Sequence, residues 1–341
     1  MSGAAGVRTV LQRVAAGETF SQESMAAAVE ALTAEGTPAQ MAAFLMGLRV
    51  RGETVDEITG AARAMRARMT AVTVAPGAID IVGTGGDGHG TFNVSTAAAL
   101  VAAGAGLKVA KHGNRSVSSL SGASDVLAAL GVKLDCGPEV IARAVDEAGV
   151  GFLWAPHHHP AFRAWAPARA ELGVRTLFNL LGPVCNPAGV RRHVIGVFAH
   201  AWVTPVAEVL RALGSERAWV VHGYDGLDEL STTGPTAVAC LDGGTITTFE
   251  VTPEDAGLER VTLSELKGGD GARNAEALKE LLAGALGPYR DIVLLNAAAA
   301  LIVAGRAESL REGAALAEEA IASGRAARAL ERLVAISQGT R

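Results

Sequence analysis

Met41, Phe44, Leu45 and Leu48 recur at i, i+3, i+4 and i+7, which draws one apolar stripe along a helix. Thr37-Pro38-Ala39-Gln40 sets a cap, a first-turn proline and a Gln three residues on just before that stripe, and Thr54-Val55-Asp56-Glu57 repeats the capping-box logic after it. Residues 1 to about 70 therefore read as four short helices. Pro76 and Gly77 punctuate the chain, and the pattern changes. The β-rich runs IDIVG, LKVAKHG, GFLWAP, RHVIGVFA and RAWVVHG alternate with segments of helical length. That order predicts a parallel sheet with helices on its faces. Residues 231 to 272 are turn-rich and β-like, and the remainder is mostly helical. The run IVLLNAAAALIVAG from Ile292 is too short to span a bilayer and contains Asn296, so a buried core helix is expected there.

Length and composition sharpen this picture. A chain of 341 residues exceeds what one core usually supports, which predicts a large α/β domain with a smaller helical partner. Hydrophobic residues make up 49% and aromatics only 4%, so the core must rest on Ala, Val, Leu and Ile, as suits helices packed closely on a parallel sheet. The net charge of −5 is spread without blocks of one sign, so neither nucleic-acid nor membrane partners are expected, while a local basic pocket is still allowed. Cys136, Cys185 and Cys240 lack paired metal-ligand spacing and read as reduced thiols of a cytoplasmic protein. Arg8 and Arg13 interrupt the N-terminal run, which does not read as a signal peptide. The tryptophans Trp154, Trp165, Trp202 and Trp219 are expected in the core or at an interface.

The candidate chemistry starts in DIVGTGGDGHGTFNVSTAAAL, from Asp80 to Leu100. Gly83, Gly85 and Gly88 satisfy G-x-G-x-x-G after a strand. The following helix, however, is predicted to begin near Ser95, and no acid occurs between Asp87 and Asp125. A dinucleotide site needs a ribose-gripping acid about twenty residues on, so that reading is set aside. The P-loop reading fails as well, because no Gly-Lys-Ser or Gly-Lys-Thr follows. A tight loop without a ligand is the bland alternative. Against it stands an acid-free span from Gly88 to Ser124 that holds His89, Lys108, Lys111, His112, Arg115 and many hydroxyls. KHGNRSVSS, Lys111 to Ser119, follows directly after a predicted strand, where open α/β sheets bind ligands. Glycine amides, a helix N-terminus, a lysine and serine hydroxyls all donate to anions. Two such loops at adjacent strand ends point to a ligand with more than one phosphate. VHGYDGLDEL then presents Asp225, Asp228 and Glu229 at another strand end, and beside a polyphosphate such carboxylates suit magnesium. The three histidines 157 to 159 cannot all face one zinc ion, and pocket lining by His159 is expected instead.

GTGGDGHGTFNVST, KHGNRSVSS, SGASDVLAALGV, ARAELGVRTLFNLLGPVCNPA and VHGYDGLDE resemble, in order, the successive motifs of the anthranilate phosphoribosyltransferases. LKGGDGARNAEALKELLAG and the helical N-terminus fit the same family, so the resemblance spans nearly the whole chain. KHGNR is shared with the related pyrimidine nucleoside phosphorylases, whereas RTLFNLLGPVCNP and GLDE are more specific. The resemblance implies a fold of the nucleoside phosphorylase and phosphoribosyltransferase type. Its helical domain, 1–72, would be joined by part of 160–185, and the α/β domain would be 73–341. It also implies transfer of the phosphoribosyl group from 5-phosphoribosyl-1-pyrophosphate (PRPP) to anthranilate, in tryptophan biosynthesis, by a homodimer paired through the helical domain.

By similarity the donor is surrounded by Gly83, Gly86, Asp87, Thr91, Asn93, Val94, Ser95, Thr96, Lys111, His112, Gly113, Asn114, Arg115, Ser116, Val117, Ser118, Ser119 and Ala123. Gly83, Asn114, His159 and Arg169 would meet anthranilate, and Ser95, Asp228 and Glu229 would hold two magnesium ions. No residue is assigned as acid or base. Leu120 stands where many members carry Lys, GASD replaces the commoner GSAD, and Phe162 replaces a frequent Met. Two other classes compete: a nucleoside phosphorylase, which has no use for a magnesium pyrophosphate clamp, and a non-catalytic nucleic-acid binder, which the acidic net charge disfavours.

Overall fold

The computed structural model describes residues 3–115 and 120–339. The chain opens with helices Gly3–Ala15, Gln22–Glu35, Pro38–Arg51 and Val55–Arg66. Both predicted capping boxes form: Thr37 with Gln40, and Thr54 with Glu57. Glu57 does more than cap. Its buried carboxylate also accepts from the Phe20 amide at 3.0 Å and pairs with Arg51, so one side chain ties together the entries or ends of three helices. The predicted stripe Met41, Phe44, Leu45 and Leu48 is buried throughout.

A seven-stranded sheet follows, with β1 Ile79–Gly83, β2 Val109–Gly113, β3 Val150–Trp154, β4 Arg192–Gly196, β5 Arg217–Gly223, β6 Thr236–Asp242 and β7 Thr245–Val251. The order is β3-β2-β1-β4-β5-β6-β7. Strands β1 to β5 are parallel, formed by the five predicted runs, and β6 and β7 extend the sheet antiparallel. The β6–β7 turn is Gly243-Gly244, both at positive φ, which matches the twist of a two-residue hairpin.

Helices cover both faces. On one, Val94–Gly104, Gly271–Leu282, Pro288–Val303, Leu310–Ala322 and Arg325–Ser337 pack against the sheet. Pro288–Val303 is the core helix expected from IVLLNAAAALIVAG. Its buried Asn296 exchanges hydrogen bonds with the backbone of Leu230, at 3.0 and 2.8 Å, and so anchors the segment just after Asp228 and Glu229. On the other face Val82, Ile195 and Val220 share a core with the N-terminal helices, Phe178–Val184 and Val203–Ala212. Helix Pro160–Leu172 joins this side through Trp165, which is fully buried, packs on Phe44 and donates to Thr33 at 2.9 Å. Trp219 is largely buried, and Trp154 and Trp202 are half-buried. Among the described residues no helix is long and apolar enough to cross a membrane.

Candidate active site at the sheet switch point

Strand order reverses between β1 and β4, since β2 and β3 lie to one side and β5 to the other. Ligands of open α/β sheets bind in the crevice at the carboxyl ends of such a pair. The last register pair there is Gly83 with Gly196. Asp228 lies across both. A Cβ on Gly83 would stand 2.4 Å from Asp228 Oδ2, and one on Gly196 would stand 1.5 Å from the Asp228 carbonyl oxygen. Both strands therefore end in glycine because the acidic segment occupies the space a side chain would take.

The acidic pair is held by the glycine loop and the helix start that follows it. Asp228 Oδ2 accepts from the Gly85 amide at 2.6 Å, and Glu229 Oε1 accepts from the Ser95 amide at 3.2 Å. Lys111 is buried in β2 and donates to Ser95 Oγ at 3.1 Å and to the Ile81 carbonyl at 2.7 Å. Gly83, Ser95, Lys111, Asp228 and Glu229 thus form one cluster. Asp225 stands apart from it: its carboxylate accepts from Ser231, Thr233 and the Leu227 amide, and shapes the loop.

Burial, reinforced by the neighbouring Asp87, pushes the Asp228 carboxyl up to about 7. Burial and then Asp228 raise Glu229 well above the ordinary range. Burial lowers Lys111, opposed by Asp80, Glu229 and Asp228. A buried carboxylate and a half-buried one, Asp228 and Glu229, beside one buried ammonium make a site short of positive charge, with hard oxygen donors of the kind magnesium takes. Among the described residues no group of three or more His, Cys, Asp or Glu side chains is placed to hold a metal unaided. The donor set fits an ion that completes its shell with phosphate oxygens and water.

The glycine loop owes its shape to backbone conformation. Gly85, Gly86, Gly88 and Gly90 all have φ between 63° and 81°, although the space beside Gly85 is open. Asp87 accepts from the His89 amide within the loop. Thr91 pairs with Lys267, and the helix begins at Val94 with Asn93 as its N-cap, one residue before the predicted start, which leaves Thr96 in its first turn. In the second loop, Gly113 faces the Phe152 ring and Ala123, so closely that its Cβ would stand 2.8 Å from the ring. The exposed Asn114 accepts from Ser124 through its carbonyl, and Arg115 lies over the Trp154 ring and 3.9 Å from Asp125. Ser116, Val117, Ser118 and Ser119 lie outside the described residues. Leu120, in the place of the family's common Lys, is 80% exposed.

Of the candidate acceptor residues, Gly83 ends β1 and Asn114 follows β2, while His159 and Arg169 lie at the two ends of helix Pro160–Leu172. His159 is its N-cap, and its Nε2 sits 3.1 Å from Nε2 of His112. Burial holds His159 down at about 4 and His112 well below its ordinary value, so the pair is neutral with one ring donating to the other. His158 donates to the Thr70 carbonyl and His157 is exposed, so the three histidines diverge, against a shared zinc ion. Arg169, in the last turn, lies over Phe178 at 5.1 Å. Phe162 bridges the two ends, 5.0 Å from His159 and 5.3 Å from Phe178. No hydrogen bond or ion pair links Asn114 or Arg169 to the acidic cluster among the described residues.

Three contributors escaped the sequence reading. Asp80, buried in β1, accepts from the His112 amide at 3.1 Å and from Asn186 at 2.7 Å, and so sets the end of β2. Its only sequence signal is an acid within the apolar run IDIVG. Arg175 donates to the Gly86 carbonyl and lies over Phe198, and Asn274 reaches Asn93.

Fold and site together define a class. Residues 75–327 match the family model described as the glycosyl transferase family, a/b domain, and residues 8–69 match the helical bundle domain of the same family. Among curated proteins, the anthranilate phosphoribosyltransferases of Rhodopseudomonas palustris (strain BisA53) and Rhizobium meliloti (strain 1021) are 58% and 60% identical, each over 97% of this chain and 98% of their own. The crystal structure of anthranilate phosphoribosyltransferase from Thermus thermophilus superposes with a TM-score of 0.91 at 47% identity, covering 96% of this chain and 99% of that one. The Saccharomyces cerevisiae enzyme in complex with PRPP and Mg gives a TM-score of 0.90 at 30% identity, with 98% of both chains covered. The chain belongs to the anthranilate phosphoribosyltransferase family.

Proposed function

We propose that this cleft transfers the phosphoribosyl group of PRPP to the amine of anthranilate, giving N-(5-phosphoribosyl)anthranilate and pyrophosphate, a step of tryptophan biosynthesis. The observation that carries the reading is the Asp228–Glu229 pair, clamped between the Gly85 amide and the Ser95 amide with Lys111 alongside. This arrangement, with carboxylate oxygens, an ammonium and backbone amides around one spot at the strand ends, supports the reading.

In the reaction the nitrogen–C1 bond forms, the C1–oxygen bond to pyrophosphate breaks, and the amine releases a proton. An aromatic amine is uncharged at neutral pH, so no strong base is needed. The barrier lies in departure of pyrophosphate from an oxocarbenium-like carbon. Gly83, Gly86, Asp87, Thr91, the run Asn93 to Thr96, and Lys111 to Ser119 with Ala123 are the residues assigned to the donor. Each preorganised donor aimed at developing charge contributes about 3 kcal/mol. Ser95, Asp228 and Glu229 would hold two magnesium ions, which when bound would supply positive charge against the pyrophosphate. Arg169 grips the anthranilate carboxylate, Asn114 and Gly83 lie on the acceptor's side, and the neutral His159 forms a wall. Holding amine and C1 in line supplies a further ~7 to 11 kcal/mol.

The same reading divides the chain into a helical domain, 1–72 with part of 160–185, and an α/β domain, 73–341. It assigns the helical domain to a homodimer contact, and the enzyme to the cytoplasm. Pyrophosphate release tests the activity. It is expected only with PRPP, anthranilate and magnesium all present, and phosphorolysis of thymidine or uridine in its place would overturn the reading.

A further inference from the structure

We propose that Asn274 is a positioning residue for the donor site, acting through Asn93 to keep the Asn93 side chain off the Thr96 amide in the first turn of helix Val94–Gly104, so that this amide stays open to phosphate while Glu229 holds the Ser95 amide. The inference rests on the functional reading above. An asparagine at an N-cap ordinarily turns its side-chain oxygen onto the amides of the second or third helical residue. Asn93 occupies that position and makes no side-chain cap. Its Oδ1 instead accepts from Asn274 Nδ2 at 2.8 Å and from Ser121 Oγ at 3.4 Å, while its Nδ2 donates to the Ser121 carbonyl at 3.4 Å.

The orientation of Asn274 is settled by its other end. Asn274 is 1% exposed, and its Oδ1 accepts from the Gly269 amide at 2.7 Å. A backbone N–H can only donate, so the oxygen must face Gly269 and the NH₂ must face Asn93. The turn that presents Gly269 is itself laid against the donor loop: Gly268 donates to the Gly90 carbonyl and Phe92 to the Leu266 carbonyl, each at 3.0 Å. A Cβ on Gly268 would stand 2.7 Å from Asn274 Oδ1 and 2.9 Å from the Phe92 amide, which requires glycine there. The motif LKGGDGARNAE thus delivers one amide group to the helix cap and draws its acceptor away. Through its own bonds to Ser121, Asn93 also joins the end of the first donor loop to the chain just beyond the second.

A double-mutant cycle with Asn274→Ala and Asn93→Ala tests this, read by calorimetric titration with PRPP and magnesium and by steady-state kinetics. In the wild-type background, Asn274→Ala is expected to weaken PRPP binding about fivefold, the size of a typical cap interaction. The anthranilate KM should stay within about twofold. In the Asn93→Ala background the same substitution should leave PRPP affinity unchanged within about twofold, because no side chain is left at position 93 to reach the Thr96 amide. An equal loss in both backgrounds, or none in the wild type, overturns the inference and leaves the function standing. Absence of PRPP binding by the wild type overturns both. Should Asn274→Ala not fold, Asn274→Asp keeps the acceptor for the Gly269 amide and carries the same cycle. An effect of its charge alone would persist without Asn93 and count against the proposal.

Discussion

The carboxylate of Asp228 lies so close to Gly83 that a β-carbon there would come within 2.4 Å of Oδ2, while Gly196 faces the backbone of the same residue. The two glycines therefore fail differently. In Gly83→Ala the Asp228 side chain can swing aside, so the chain folds but the carboxylate leaves the Gly85 amide. Losing a hydrogen bond to a charged group costs about 1.5 to 3 kcal/mol, and kcat/KM for PRPP should fall roughly 10- to 100-fold with little change in Tm. In Gly196→Ala no rotation relieves the clash with a backbone carbonyl, and a denaturant melt should show a loss of about 1–3 kcal/mol or more. Equal stability losses in the two variants would contradict the geometry.

Glu229→Gln keeps an oxygen to accept from the Ser95 amide and removes only the charge. Its melt should match the wild type, while turnover at limiting magnesium should fall by about 10²-fold or more. Chelation of magnesium should stop the wild type. A folded variant with normal turnover would remove Glu229 from the magnesium site.

Arg169 is half-buried over Phe178, and burial lowers its guanidinium pKa without threatening its charge at neutral pH. It is not paired with Glu171 among the described residues. Arg169→Ala should raise the anthranilate KM by about 10- to 100-fold, as loss of a charged hydrogen bond implies, and barely change the PRPP constant. Arg169→Lys should not restore it, since an ammonium cannot form the two parallel bonds of a guanidinium. Equal KM values for wild type and Arg169→Ala would place the acceptor elsewhere.

His193 and Asp80 are register partners in β4 and β1, and burial moves them in opposite directions. Burial, followed by Arg66, holds His193 at about 3, against an ordinary 6.5. Its unfolded form therefore binds the extra proton between those values, so its contribution is complete above pH 6.5 and is lost as pH falls towards 3. Burial raises Asp80 to about 6, which works the other way below that pH. The histidine shift is the larger, on the order of 5 kcal/mol at its limit. Urea melts of wild type and His193→Gln between pH 7 and pH 4 should show the wild type losing ground as pH falls. Parallel stability curves would contradict the assignment.

What the chain's order made legible is local. The capping boxes at Thr37 and Thr54, the stripe from Met41 to Leu48 and the five parallel strands follow from spacing and residue type within ten residues. The glycine loop and the Asp228–Glu229 pair were legible as chemistry, and the family resemblance related them to one site. Gly196 was not legible, because RHVIGVFA announces a strand but not the acidic segment that crosses its end. Nor was Asn274, whose role depends on a helix cap far back in the chain. The β-like stretch after Ser231 gave its strands but not their direction: β6 runs antiparallel to β5, and the Gly243-Gly244 turn reverses β7 onto β6.

Anthranilate fluoresces, and its fluorescence changes when its amine is ribosylated, so mixing enzyme, PRPP, magnesium and anthranilate tests the central claim most directly. The expected result is a loss of anthranilate fluorescence that requires both PRPP and magnesium and is strongly slowed in Glu229→Gln. No loss at high concentrations of folded wild-type enzyme would contradict it.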